Sequence, residues 1–320
     1  MDKIRRIVIK VGTATITEPS GRISPDSVGA LTSQIVAALE RGIDVAVVSS
    51  GAIAAGMEKL GMAERPGDVR TLQAVAAVGQ GALVRIYTDL FDASGITAGQ
   101  VLLTQHDVTR RQQYLNARHT LETLFEMSVV PVINENDTVA TEEITFGDND
   151  MLAALVASLV GADLLVLLTD TGGLFTEDPN KSEAATLIKK VERVTGEIQD
   201  LGGEAGEMGL GGMSSKLQAA KAAAETGVNV VIADGRNPGT ITTCWTEKSR
   251  ARFSKPPARC RRRSTGSATR GSARANSSWT RERRRRCSPG GRACCRPVWS
   301  RSRGGSPWVT AWTSWGRTAS

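Results

Sequence analysis

Short apolar runs rich in Val, Ile and Leu alternate with longer amphipathic stretches through the first 240 or so positions of this 320-residue chain. Residues 7–11, 45–48, 99–103, 129–133, 164–168 and 228–233 read as strands, most of them apolar at nearly every position. Between them lie segments with helical spacing. One starts at Ser24, Pro25 and Asp26, a cap followed by a proline in the first turn, and runs to about residue 40. Others cover 51–60, 68–91 (capped by Asp68), 109–127, a segment opening at Met151, and 214–226. Arg41 with Gly42, and Ser94 with Gly95, close two of these helices. Continuously apolar strands separated by amphipathic helices predict an α/β fold: an open, mostly parallel sheet sandwiched between helices on both faces. No internal repeat is present.

Polar residues then pick out one edge of that sheet. Asn134-Glu135-Asn136-Asp137 follows the 129–133 strand, and Gly147-Asp148-Asn149-Asp150 leads into the Met151 helix. In open α/β sheets ligands bind where strands end and helices begin. Carboxylates and carboxamides crowded there need a polar ligand, a metal or a lysine as partner. Four other strand ends or helix entries carry glycine and small polar residues: Lys10-Val11-Gly12-Thr13, Ser49-Ser50-Gly51-Ala52, Thr169-Asp170-Thr171-Gly172-Gly173, and Gly209-Leu210-Gly211-Gly212-Met213-Ser214-Ser215-Lys216. Glycines let a ligand approach the backbone, and free amides at helix starts favour anions. With Lys10 and Lys216 on these turns, the joint reading is a phosphate site. Each piece has a plainer explanation: Lys10 solvated at a sheet end, Asp148 capping a helix, His106 and His119 structural, Arg110 and Arg111 on a solvated helix face. The 209–216 segment matches neither a Walker loop nor a dinucleotide fingerprint.

Charge divides the chain in two. Residues 1–248 hold 21 Lys+Arg against 32 Asp+Glu, whereas 249–320 hold 19 Lys+Arg and one acid, Glu282. The overall +7 therefore belongs to the tail alone. That tail has no Leu, Ile or Met and holds four of the five cysteines, in no zinc-binding spacing. The expectation is a folded domain over 1–248 and a disordered Arg/Ser/Trp-rich tail over 249–320. A single cysteine in the folded part, Cys244, suits a reducing cytoplasm, and neither a secretory signal nor a membrane-length apolar run is read.

Taken in order, Val8-Ile9-Lys10-Val11-Gly12-Thr13, Ser49-Ser50-Gly51-Ala52-Ile53-Ala54-Ala55-Gly56, Pro131-Val132-Ile133-Asn134-Glu135-Asn136-Asp137, Gly147-Asp148-Asn149-Asp150 and Gly211-Gly212-Met213-Ser214-Ser215-Lys216 resemble the motifs of the amino acid kinase family, in the form its glutamate 5-kinase branch carries. The resemblance spans residues 4 to about 239. It implies phosphoryl transfer from ATP, with Mg²⁺ carried on the nucleotide and no protein metal ligands, to the side-chain carboxylate of L-glutamate. It implies that Lys10 and Lys216 stabilise the moving phosphoryl group and that Asp150 organises both ammonium groups. Gly12 and Gly51 would lend backbone amides. Ser50, Asp137 and Asn149 would bind glutamate. Thr169 and Asp170, with Lys10 and residues Leu210, Gly211, Gly212, Met213, Ser214, Ser215 and Lys216, would line the ATP site. It further implies a homo-oligomer assembled through the kinase domain, feedback inhibition by proline, and no membrane association.

The tail departs from that pattern. Bacterial members commonly continue through a Gly-Thr-Leu-Phe junction into a small PUA domain, which is not readable here. Reading GC-rich codons two bases out of phase from Arg250 restores such a junction, so a frameshift near 245–250 is the expectation for the tail. Its 18 arginines, with tryptophans, would in either case attract nucleic acid nonspecifically. The alternatives for the whole chain are a non-catalytic amino-acid sensor of the same fold or an inactive product of a frameshifted gene.

Overall fold

Strand β1 (Arg6–Val11) lies inside a sheet whose order is β3-β4-β2-β1-β5-β7-β8-β6. The computed structural model describes residues 4–139, 149–203 apart from 178, 180, 181 and 183, 212–245, and 252–253. In chain order β1 is followed by α1 (Thr13–Ile16), α2 (Pro25–Leu39), β2 (Asp44–Ser49), α3 (Ala52–Leu60), α4 (Val69–Asp92) and β3 (Ala98–Leu103). Next come α5 (Gln105–Thr109), α6 (Arg111–Glu126), β4 (Val130–Glu135), a 3-10 turn (Asp137–Val139), α7 (Asp150–Leu159) and β5 (Leu164–Thr169). The last elements are β6 (Lys190–Val191), α8 (Gly196–Asp200), α9 (Met213–Glu225), β7 (Asn229–Asp234), α10 (Thr240–Trp245) and β8 (Arg252–Phe253). The six long strands pair in parallel, as their apolar composition predicts, and among the described strand pairs β7 with β8 is the antiparallel one.

Strand periodicity assigns the faces. Ile7, Ile9 and Val11 pack with Val45, Val47, Val130, Val132 and Val166 against α2 and α4. Val8 packs with Ala46, Val48, Ile133, Leu165 and Leu167 against α7 and α9. Because successive side chains alternate, Lys10 shares the α7/α9 face with Val8. Ser49 and Asn134 continue the odd and even series that face α4. Parity thus decides which helix each polar strand-end residue meets.

Three expectations shift. Strand β4 runs two residues further than read, because β3 extends the ladder through Leu102↔Asn134 and Leu103↔Glu135. The helix expected over 109–127 is α6, and a short helix that was not expected, α5, precedes it. Thr104 and Asp107 form a reciprocal cap at the start of α5, with Thr104 N donating to Asp107 Oδ2 at 2.8 Å and Asp107 N to Thr104 Oγ1 at 3.2 Å. The sheet also continues past residue 248, since Arg252 and Phe253 pair with β6 and β7. The rest of the predicted tail lies outside the described residues.

Helices α3 and α4 cross where glycine meets glycine. A Cβ on Gly79 would overlap the Ala52 carbonyl oxygen, and one on Gly56 the Val75 carbonyl oxygen. That approach seats α4 directly beneath the turn at Ser50 and Gly51. Gly51 itself caps α3 at φ 113°, a left-handed conformation that disfavours any side chain.

Candidate active site

The carboxyl ends of β1, β2, β4 and β5 open into one cavity of about 720 Å³, whose lining includes Lys10, Gly12, Ser50, Gly51, Asn134, Asp137, Asn149, Thr169, Asp170 and Lys216. The chain leaves β1 toward β2 and enters β5 on β1's other side, so the cavity sits at the point where an open α/β sheet leaves a crevice.

At the centre of one end lies a buried charge bridge. Lys10 Nζ stands 2.7 Å from Asp150 Oδ1, and Lys216 Nζ donates to Asp150 Oδ2 at 3.2 Å. Ser215 Oγ lies 2.8 Å from the same Oδ2. Asp150 is fully buried and the two lysines nearly so. Burial alone would push the Asp150 carboxyl up. The two lysines, with hydrogen bonds from Lys10 and Ser215, outweigh it and hold the group below the usual carboxylate range. The plainer explanation of Lys10 as a solvated strand end is excluded by its 2% exposure. Two cations on one anion leave a net positive charge facing the cavity, suited to phosphate. Gly12 completes the floor. Its φ of −78° suits any residue, yet a Cβ there would sit 3.7 Å from Lys10 Nζ, in the space a phosphate needs.

The other end is neutral and acidic. Asn149 Nδ2 lies 3.0 Å from Ser49 O, 3.1 Å from Ser50 Oγ and 2.7 Å from Asn134 Oδ1, joining β2, β4 and the start of α7. Asn134 Oδ1 also accepts from Glu135 N at 2.8 Å. With its Nδ2 so engaged, Asn149 keeps Oδ1 buried and without a protein partner among the described residues. Asp137 is 8% exposed. Burial pushes its carboxyl up to about 6, against the opposing pull of the Arg65 guanidinium. Unpaired acceptors beside a carboxylate make an ammonium site.

The structure thus brings Lys10, Gly12, Ser50, Gly51, Asp137, Asn149, Thr169, Asp170 and Lys216 to one cavity, with Asp150 buried between the two lysines. Asp170 is more peripheral, paired with Arg236 at 3.6 Å. Within the 210–216 segment, Gly212 caps α9 and Met213, Ser214 and Ser215 form its first turn, whose amides lack intrahelical acceptors. Of the described residues of this segment only Lys216 lines the cavity, and the Ser215 hydroxyl is turned onto Asp150. Leu210, Gly211 and Asp148 lie outside the described residues, as does the side chain of His106, whereas His119 is exposed on α6. Sequence reasoning gave no individual role to Asn134, Gln80 or Arg65. Asn134 stands in the motif that was singled out, but Gln80 and Arg65 become visible only once α4 and the α3–α4 loop are placed.

A family model described as "Amino acid kinase family" matches residues 5–234. The chain is 48% identical over 238 residues to a glutamate 5-kinase of Burkholderia multivorans, covering 74% of this chain and 64% of that protein. It is 49% identical over 242 residues to one of Moorella thermoacetica, covering 75% and 64%. The chain therefore spans slightly less than two thirds of these curated relatives. Among solved structures, carbamate kinase from Giardia lamblia bound to AMP-PNP superposes with a TM-score of 0.57 at 18% identity, over 80% of this chain and all of that one. UMP kinase from Bacillus anthracis superposes with 0.54 at 14%, over 79% and 97%. A single switch-point cavity with a lysine–aspartate–lysine bridge, on a sheet shared with these kinases and in a sequence matched from residue 5 to 234, places the chain in the amino acid kinase family.

Proposed function

We propose that this chain is an ATP-dependent kinase of the L-glutamate side chain, producing L-glutamyl 5-phosphate, the first step of proline biosynthesis. The observation that carries the reading is the buried Lys10–Asp150–Lys216 bridge opening on the same cavity as Asn134, Asp137 and Asn149. One end suits transferring phosphate and the other suits an α-amino acid. The near-50% identity to glutamate 5-kinases supports glutamate over other amino acids.

The chemistry asks little of a general base. A glutamate side-chain carboxylate of pKa near 4.3 is ionised at neutral pH. One of its oxygens attacks the γ-phosphorus as the bond to the β–γ bridging oxygen breaks, and ADP leaves. The obstacle is bringing two anions into line. Lys10 and Lys216 offset that charge, and Asp150 holds their ammonium groups with both oxygens. Gly12 and Gly51 leave backbone within reach of the phosphates. Asp137 and Asn149 Oδ1 accept from the α-ammonium, with Ser50 and Asn134 orienting Asn149. Thr169, Asp170 and the first turn of α9 border the nucleotide. Mg²⁺ would enter on the nucleotide and neutralise its phosphates. The residues fit that arrangement, since both Asp150 oxygens are already committed to lysine and serine.

The resemblance adds a homo-oligomer built through this domain, feedback inhibition by proline and a cytoplasmic setting. Among the described residues no helix is long and apolar enough to cross a membrane. Incubation with MgATP, L-glutamate and hydroxylamine tests the activity. Glutamyl hydroxamate should form, and aspartate or N-acetylglutamate should give at most a trace. Glutamate binding without hydroxamate would replace the kinase reading with that of a sensor.

A further inference from the structure

Helix α4 presents two polar residues on its otherwise apolar inner face, Gln80 and Tyr87, seven positions apart and therefore in line. Each meets a strand end that carries the amino-acid half of the cavity. Tyr87, fully buried, hydrogen-bonds Ser49 Oγ at 3.0 Å. Gln80 Oε1 accepts from Asn134 Nδ2 at 2.6 Å. Glu135 N and Asn149 Nδ2 already fix which end of the Asn134 amide is oxygen. Gln80 then takes one of the two Nδ2 protons, which determines the direction of the other.

Three observations make this contact more than packing. Gln80 heads an unbroken relay, Gln80 to Asn134 to Asn149 to Ser50, that ends in residues lining the cavity. Gln80 Nε2 is buried without a protein partner among the described residues, so this amide is a poor choice for stability alone. The same helix packs against the 3-10 turn at Asp137–Val139, so its position governs both Asn134 and Asp137.

We infer that Gln80 is a positioning residue for amino-acid recognition: by accepting from Asn134 Nδ2 it holds the Asn134–Asn149 amide pair in the orientation that leaves Asn149 Oδ1 open to the α-ammonium of the substrate. The inference rests on the proposed activity and names how its substrate half is kept in register. Gln80 acts through Asn134 and sits outside the cavity lining. Its removal should therefore alter substrate affinity and leave the phosphoryl-transfer end alone.

Gln80→Met keeps the length and removes the acceptor, whereas Gln80→Glu keeps an oxygen at the same place. Kinetics and calorimetric glutamate binding on the full chain decide the matter. Gln80→Met should raise the glutamate KM and Kd about fivefold to tenfold. Its kcat and ATP KM should stay within twofold and its Tm within a few degrees. Gln80→Glu should recover most of the lost affinity. An unchanged glutamate KM in Gln80→Met overturns the inference, as does a loss of kcat and ATP affinity in parallel with glutamate affinity, or an equal loss in both variants. Wild-type protein that binds glutamate without phosphorylating it defeats the kinase reading alone, and the Kd series still decides the role of Gln80. Wild-type protein that does neither defeats both.

Discussion

Replacing Asp150 with Asn isolates the charge at the middle of the bridge while keeping its shape. In the folded protein Asp150 has no exposed side chain, and Lys10 and Lys216 expose 3% and 7% of theirs. Taking one partner from a buried ion pair leaves uncompensated charge and costs roughly 3–5 kcal/mol. Here two ammonium groups lose their shared anion, so the upper part of that range applies. For a domain of this size each kcal/mol moves the melting temperature by roughly 2–4 °C, so about 4–5 kcal/mol gives an expected drop of about 8–20 °C. Phosphate can replace the missing charge. Saturating MgATP should therefore stabilise Asp150→Asn more than wild type, measured as the ligand-induced shift in a thermal melt. Turnover should fall about 100-fold or more, because both lysines lose their anchor. The pH dependence has a definite sign. Asp150 is held below its ordinary 3.8, so its contribution is present above that pH and is lost as pH falls through the folded-state value. The gap between variant and wild type should then narrow in acid. A variant melting within about 2 °C of wild type at pH 7, with an ordinary ATP shift, would refute the reasoning.

Lys10→Ala and Lys216→Ala should each lower kcat far more than glutamate affinity, since both act on the phosphoryl group. Near-normal turnover in steady-state assays of either variant would remove it from that role. Asp137 should impose a pH limit on substrate binding: its carboxyl sits at about 6, so the glutamate KM should be flat above pH 7 and climb about tenfold per unit below 6. The same shift destabilises the folded state as pH rises from 3.8 through 6, by up to about 3 kcal/mol. Asp137→Asn should accordingly raise the melting temperature at pH 7 while abolishing the KM inflection, a pairing that a KM–pH profile and a thermal melt check together. Gly79→Ala should cost about 1–3 kcal/mol or more in urea unfolding, because its methyl would overlap the Ala52 carbonyl where α3 and α4 cross.

Local pattern was enough for the six long strands, for the helices over 24–40, 51–60 and 68–91, and for the sheet edge on which polar residues gather. Each of these rests on interactions within a few residues: apolar runs, Ser24 and Asp68 as caps, glycines where chains turn. Local pattern understated β4, since Asn134 and Glu135 look like loop and are held in the ladder by β3. It overlooked α5, although the Thr104 and Asp107 spacing carries a capping signal. The short strands β6 and β8 gave no readable period at two residues each.

What the sequence determined by itself was which strand residues share a face, because side-chain direction alternates with period two; strands apolar on both faces leave open which helix layer each face meets. It placed Lys10 with Val8 and Asn134 with Val132, and in resemblance it supplied the motif order. Which residues then meet was decided only in three dimensions. Asp150 reaches Lys10 and, 66 residues on, Lys216 because the order β4-β2-β1-β5-β7 sets α7 over β1 with α9 beside it over β7. Gln80 reaches Asn134, 54 residues on, because two glycines let α4 lie close against α3. Parallel strands take their neighbours through long crossovers whose order leaves no local trace. Residues at the carboxyl edge are therefore legible as a set, and their pairings are a property of the packed sheet.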